Sequence, residues 1–540
     1  MSVLDATTTG YSEAASSDLA ISDARDTRSG GARARALRRL IAHPDLLLSV
    51  GLLMLALAPR ILYLLWAPVF IGGDSAQYFQ PVYDLLNGGR FTLSLKRPPL
   101  YPWMLYAEQW LFGPSFVPMI AFQHLLGALG VVLTYWIGRL AWNGGRPSPP
   151  SPLSLPRERG SNDLALSRWA GGLAALLVAF SSSTLRWEHF LMTEGPFAFL
   201  FTLVMFLIVL GLRRRTAFWP WAAAGLVLGL AMLTRSAGQV AMLIVPPMVL
   251  LVERSWRAAL WKSALVFGVC AVVTVPWMLR NQAVHGAFTT AGAAGQNLVT
   301  FVAIIHRPDF SFDEPLVVAV DVDPRMAFAR KQIKQEMEEK LARPSKDVTG
   351  LGIANHIREE TKMSERETDR AMQEIAVRAI LARPLVYVRH VVENVFDIFM
   401  ADASTVDETL EKHWSYTRWD NVGWREHLRR FVVPPTPGQE ATYPYLAALD
   451  SIHQPARTAG LMLVLFVVGV VLALRQPRWR PILALALATL GLIGIHAATV
   501  GVVPRYRMAV EPLIDVVAMG ALVVLVTWAA GYMRRRSAAG

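Results

Sequence analysis

The sequence predicts an all-α polytopic membrane protein, with about ten or more transmembrane helices and a mainly helical extracytoplasmic domain. Three observations carry that expectation. Hydrophobic residues make up 53% of the 540 and charged residues only 17%, against about 25% charged in a soluble domain. About ten apolar runs approach the ~20 residues that a helix needs to cross a bilayer. Lys and Arg gather in alternate connections between those runs, as they do in the cytoplasmic loops of membrane proteins. A water-soluble enzyme and a largely disordered chain are both excluded by this composition. A net charge of +12 in a soluble protein would suggest nucleic acid. Here the basic residues are spread over membrane loops, so no nucleic-acid partner is expected. The single cysteine, Cys270, sits in an apolar run and permits no intrachain disulfide.

Residues 1–45 are rich in Ser, Ala, Asp and Arg and end in the basic cluster Arg33, Arg35, Arg38 and Arg39. No apolar segment near the start suggests a cleavable signal, so this part reads as a disordered cytoplasmic tail. The apolar runs follow at 46–66, 116–138, 168–186, 190–212, 218–234, 237–252, 259–279, 459–475, 481–500 and 508–531. Arg186, Trp187, Glu188 and His189 mark a turn inside the nearly continuous run 171–210. With the N-terminal Arg cluster inside, the basic turns near Arg139–Arg168, Arg213–Arg215, Arg254–Lys262, Arg475–Arg480 and Arg534–Arg536 also fall inside. Both termini are then cytoplasmic. The expected divisions are a transmembrane catalytic module at 46–279, including a first extracytoplasmic loop at 67–115, and an extracytoplasmic domain at 280–458. C-terminal transmembrane helices at 459–531 and a basic tail at 532–540 complete them. The proline-rich stretch 144–160 reads as a cytoplasmic linker. Leu385–Met400 is amphipathic and fits a helix on the membrane surface or a further span.

Chemistry concentrates at the outer ends of the runs. The first loop carries Gly72-Gly73-Asp74-Ser75-Ala76-Gln77-Tyr78. Asp74 suits either a cap of a helix over Ala76–Leu86 or a carboxylate held at the bilayer to take a proton or orient a metal. The same loop carries Lys96-Arg97-Pro98-Pro99-Leu100-Tyr101. Lys96 and Arg97 suit lipid headgroups by snorkelling, or a phosphate that matches the guanidinium fork. Glu194 lies at the edge of an apolar run, where a carboxylate costs about 2.5–3.5 kcal/mol and is a functional expectation by default. His189 beside it reads as structural, and one histidine with scattered carboxylates makes no zinc pattern. Arg235, Arg280, Arg505 and Arg507 break the positive-inside trend. Each alone suits an interface anchor; together on one surface they suit an anionic, lipid-borne ligand such as a lipid-linked phosphate.

The order of these pieces resembles the membrane glycosyltransferases of the GT-C fold, in particular the protein O-mannosyltransferases and the lipid A aminoarabinose transferases. The pieces are Gly73–Tyr78, Arg97–Pro102, Met192-Thr193-Glu194, Leu233-Thr234-Arg235, Pro276–Asn281 followed by Gly295 and Asn297, and Pro504–Arg507 followed by Pro512. The resemblance covers about 46–300 and 459–531.

It implies an inverting hexosyl or pentosyl transferase that takes a sugar from a polyprenyl-phosphate donor on the extracytoplasmic face of a bacterial inner membrane. Asp74 and Glu194 match the family's acidic positions and are the expected catalytic pair. Arg97 matches a basic residue before proline that contacts donor phosphate. Lys96, Arg235, Arg280, Arg505 and Arg507 are expected to join it, and Tyr78, Tyr101 and Tyr506 to line the site. Asp74 is followed by Ser75 where the protein mannosyltransferases carry an Asp-Glu pair, a departure that speaks against a protein acceptor; the acceptor, a lipid, a glycan or a protein, is left open. Asp74 would receive the proton of an attacking hydroxyl. Glu194 would orient Asp74, bind the sugar or help hold a divalent metal, the one cofactor left open. Membrane lipids are the other expected partners. Two further readings stand beside the transferase: a transporter of lipid or polysaccharide, and a ligase or polymerase using lipid pyrophosphate donors.

Overall fold

The computed structural model describes residues 44–67, 69–71, 74–144, 156–214, 216–292, 294–305, parts of 324–335, and 350–400, 455–500 and 504–539. The expected tail, the Gly72-Gly73 turn, most of the linker and residues 401–454 lie outside them. The chain divides into two units, 1–54 and 55–540, and everything below concerns the second.

The described elements are helices: α1 Pro44–Trp66, α2 Ser75–Leu86, α3 Leu100–Phe112, α4 Val117–Ala141, α5 Pro156–Ala179, α6 Ser182–Glu188, α7 Glu194–Arg213, α8 Trp219–Thr234, α9 Val240–Glu253, α10 Trp256–His285, α11 Ala294–Ile305, α12 Gly350–Thr361, α13 Glu365–Ala382, α14 Pro384–Met400, α15 Pro455–Arg475, α16 Pro481–Thr499 and α17 Glu511–Ala539. Each of the apolar runs read from the sequence falls on one of them, except 168–186, which is divided between α5 and α6. Among the described residues, eight helices are long and apolar enough to span a membrane, and nine if α5 and α6, bent by 55°, count as one. The remaining run, on α8, has 16 residues and a length of about 24 Å, short of a ~30 Å hydrocarbon core. No strand forms among the described residues beyond the isolated bridge of Phe70 with Phe190.

Small residues set the helix approach. At the crossing of α4 and α5, a Cβ on Gly138 would lie 2.6 Å from the Gly171 backbone, and one on Gly171 would lie 2.4 Å from the Tyr135 carbonyl. Such contacts let backbones meet where no hydrophobic force separates helix from lipid. A continuous apolar core follows, running through α4, α7, α8, α9, α16 and α17. A second, smaller core joins α11, α12 and α13. The N-terminus of α13 is fixed by a capping box between Ser364 and Glu367. The amphipathic α14 is pinned to α16: the Tyr387 hydroxyl donates to the Ala498 carbonyl at 2.7 Å, and Asn394 to that of Ala497 at 3.3 Å. Leu385, Val388, Val392 and Phe396 stay exposed on it.

Candidate active site

The first-loop helix α2 starts one residue before the expected helix, and Asp74 occupies its N-cap position without making a side-chain cap hydrogen bond. Its carboxylate turns to two guanidinium groups instead. Oδ1 receives Arg97 Nη2, and Oδ2 lies 3.4 Å from Arg505 Nη2. Arg97 is nearly buried and its whole fork is used: Nε donates to Gln77 at 2.9 Å and Nη1 to the Tyr78 hydroxyl at 3.0 Å. Its guanidinium also stands 4.7 Å from the centre of the Tyr78 ring. Burial alone would raise the Asp74 carboxyl. Arg97, Arg505 and Lys96 outweigh it and hold the group well below the ordinary carboxylate range.

Glu194 opens α7, where a carboxylate meets the positive end of the helix dipole. Its Oε1 lies 2.7 Å from Arg235 Nη1 and 3.3 Å from Arg505 Nε. Neither N–H is aimed at it, so this buried oxygen is paired by charge yet keeps unused acceptor capacity. Arg505 therefore bridges the two carboxylates. Thr193 makes a second join: its hydroxyl accepts from Arg235 at 3.2 Å and lies 3.4 Å from the Tyr78 hydroxyl. Tyr506 stands below both arginines, 5.3 Å from Arg235 and 5.6 Å from Arg505. A partly open pocket of about 230 Å³ is lined by Glu194, Arg235, Arg505, Tyr506, His496 and Phe197, among others.

The Lys96 backbone N–H donates to Ser94 Oγ at 3.2 Å, while its ammonium faces the same charges and, among the described residues, makes no hydrogen bond or ion pair. Burial, then repulsion from Arg97, pull its ammonium down to about 8 against the attraction of Asp74. Tyr101 lies behind Tyr78, edge-on at 5.3 Å, and donates to Gln123 at 2.8 Å. Two expected members lie elsewhere. Arg280 donates to Asn281 at 3.0 Å, lies 3.1 Å from His285 Nε2 and stacks on Trp277. Arg507 is buried and gives Nη1 to the Phe399 carbonyl, tying the turn before α17 to α14. Arg505 lies in the 3-10 turn Pro504–Tyr506, and at about three residues per turn two side chains two positions apart leave the backbone in different directions.

Sequence reasoning passed over a buried polar network behind the site. Arg60 grips the Glu188 carboxylate with Nε and Nη2, both at 2.8 Å, and its Nη1 donates to the Ala56 carbonyl at 2.8 Å. His124 Nδ1 lies 3.2 Å from Glu188 Oε2, and since a carboxylate only accepts, Nδ1 carries the hydrogen. His124 Nε2 then takes a hydrogen bond from His189 Nδ1 at 2.9 Å. Gln123 donates to the carbonyls of Glu188 and Phe190 at 2.8 and 2.7 Å. The network fixes the turn 188–193 that delivers Thr193 and Glu194. Arg60 and His124 lie inside apolar helices, and the cost of an ionisable residue there was the available signal.

Among the described residues, no three His, Cys, Asp or Glu side chains gather as a metal site. Asp74 and Glu194 are each engaged by arginine, a donor set that does not fit a resident divalent cation.

No family model matches the sequence, and no curated protein matches it. Among solved structures, the chain is similar to the oligosaccharyltransferase AglB of Archaeoglobus fulgidus, in complex with an inhibitory peptide and a dolichol-phosphate. Identity is 13%, coverage is 92% of this chain and 52% of that one, and the TM-score is 0.46. It is also similar to ArnT of Cupriavidus metallidurans bound to undecaprenyl phosphate, at 14% identity, 87% and 77% coverage and a TM-score of 0.33. The chain thus spans about half the length of AglB. Identities and TM-scores this low leave the activity to be argued from the site.

Proposed function

We propose that the chain is an inverting glycosyltransferase that moves one sugar from a polyprenyl-phosphate carrier to a hydroxyl or phosphate oxygen of an acceptor. The reaction would take place on the extracytoplasmic face of a bacterial inner membrane. The observation that carries this reading is the charge of the cluster. Arg97, Arg235, Arg505 and Lys96 face Asp74 and Glu194, four cations against two carboxylates, a net +2. A polyprenyl-phosphate sugar is a phosphodiester with one negative charge. Its departing polyprenyl phosphate gains a second as the anomeric bond breaks. Fixed guanidinium donors therefore stabilise the transition state more than the ground state.

Arg97 is committed to Asp74, Gln77 and Tyr78, which makes it an organiser. Lys96, together with the long contact from Arg505 to Asp74, leaves cations for phosphate. A phosphate that draws Arg505 away also removes one of the charges that depress the Asp74 carboxyl. Asp74 becomes a better base only when donor is bound, and an attacking hydroxyl can then give up its proton to it. Glu194 holds Arg235 and Arg505 in register and offers Oε1 to the sugar.

The transporter reading is less well supported, because transporters place charged sites at broken helices near the midplane of repeated halves. Here the cluster sits at helix ends and loops, at Asp74, Glu194, Arg235 and Arg505. The test supplies purified protein with undecaprenyl phosphate carrying radiolabelled glucose, mannose, galactose or arabinose, and a membrane lipid extract. Movement of label to a new product, with release of undecaprenyl phosphate, supports transfer. Labelled carrier left intact by protein shown to be folded, while undecaprenyl-pyrophosphate oligosaccharide is consumed, would replace it with the ligase.

A further inference from the structure

His496 lies near the end of α16 and is about nine-tenths buried, at 6% exposure. Its Nδ1 is 2.7 Å from the Leu492 carbonyl. A carbonyl has no hydrogen to give, so Nδ1 must carry it. In the neutral ring Nε2 is then a pure acceptor, and among the described residues it has no hydrogen-bond partner. The ring plane is fixed from a second direction, stacked on Tyr506 at 4.1 Å with 26° between the planes. His496 thus lines the pocket of Glu194, Arg235 and Arg505 with its tautomer and orientation both set. The chemistry of its ligand follows by elimination. A deprotonated phosphate oxygen has no hydrogen to offer Nε2, and a protonated ring would add a third positive charge beside two guanidinium groups. What a fixed acceptor recognises is a donor, an O–H or an N–H, and on a neutral sugar that donor is a hydroxyl. Arg235 and Arg505 donate only, so the side-chain acceptors on this wall are His496 Nε2, the Glu194 carboxylate held by the two arginines and the Tyr506 hydroxyl.

We propose that His496 is a specificity-determining residue that accepts a hydrogen bond from a hydroxyl of the carrier-borne sugar, while the arginines take its phosphate. The proposal rests on the polyprenyl-phosphate sugar reading above. It separates the two parts of the donor: cations bind the part every carrier shares, and His496 reads the part that differs.

The test measures binding of undecaprenyl phosphate, bare and carrying glucose, mannose, galactose or arabinose, to the full-length protein in lipid nanodiscs. Wild type is compared with His496→Leu and His496→Gln. Wild type should bind at least one sugar-bearing carrier more tightly than the bare one. His496→Leu should lose that gain by roughly tenfold, the worth of one hydrogen bond in a closed site, with bare-carrier affinity unchanged as its control for folding. His496→Gln, which keeps an acceptor at similar reach, should retain part of the gain. A gain that survives His496→Leu overturns the proposal and leaves the transferase reading standing. So does a wild type that binds all carriers alike. Equal loss for bare and sugar-bearing carriers overturns it too, by assigning His496 to packing against Tyr506. A wild type that binds neither form removes the carrier reading itself, and the role of His496 with it.

Discussion

Arg505 and Arg507 are two residues apart in one short turn and have opposite surroundings. Arg505 lies between the carboxylates of Asp74 and Glu194, whereas Arg507 is tied to the Phe399 carbonyl. Arg505→Gln should therefore raise KM for a polyprenyl-phosphate sugar at least tenfold, the usual worth of a charge-assisted bond. Arg507→Gln should lower the melting temperature with KM little changed. Paired kinetics and thermal unfolding would check both. Lys96 adds a pH signature. Its ammonium titrates near 8, so it is cationic below that pH and neutral above. Donor affinity should fall as pH rises through about 8, and Lys96→Arg should move that alkaline limb upward. A limb that stays at the same pH in the arginine variant would separate Lys96 from the phosphate. The sequence marks Arg505 and Arg507 because each breaks the positive-inside trend, and Lys96 because it stands beside Arg97 before the first-loop prolines. It carries no sign that Arg507 points away, since which side of a turn a side chain leaves depends on the partner it finds.

At the scale of elements, the turn between α6 and α7 owes its shape to α1 and α4. Arg60 and Glu188 form a buried, two-pronged pair, with His124 on the same carboxylate. Removing one partner of such a pair costs about 3–5 kcal/mol, whereas replacing both by apolar groups is close to neutral. Arg60→Met and Glu188→Leu should each destabilise by about that amount, and the double variant should recover much of it in denaturant unfolding. Additive losses would contradict the pairing. Gly127 is part of the same fit, since a Cβ there would lie 1.9 Å from Glu188 Oε1. Gly127→Ala must displace the carboxylate and should lower both stability and transfer rate. The helices themselves were legible from apolar runs, because length and hydropathy alone define a span. Their partners were not: nothing local to Arg60 or His124 names Glu188, which only the packing of α1, α4 and α6 brings to them.

At the scale of the whole molecule, Glu365 is one link between the site and the second core, beside the bond from the Gly292 N–H to the Leu95 carbonyl at 2.8 Å. Glu365, at the start of α13, accepts the Leu95 backbone N–H at 2.8 Å, beside Lys96 and Arg97, and also holds Arg358. Glu365→Ala should release this latch, seen as faster amide exchange over 93–97, with loss of donor affinity smaller than in Arg505→Gln. Unchanged exchange would remove the latch from the account. The motif order of the sequence singled out residues of the loops, and Asp74, Arg97, Glu194, Arg235 and Arg505 do meet. The bridging role of Arg505 was hidden, because it joins residues from opposite ends of the chain. The central claim is that this carboxylate–guanidinium cluster is where the sugar is transferred. The most direct measurement is the rate of labelled sugar transfer from its undecaprenyl-phosphate carrier by wild type, Asp74→Asn and Glu194→Gln, with undecaprenyl phosphate binding as the control for folding. The account predicts at least a hundredfold loss in both variants, the scale of a general base, with carrier still bound. Transfer at a near wild-type rate in either variant would contradict it.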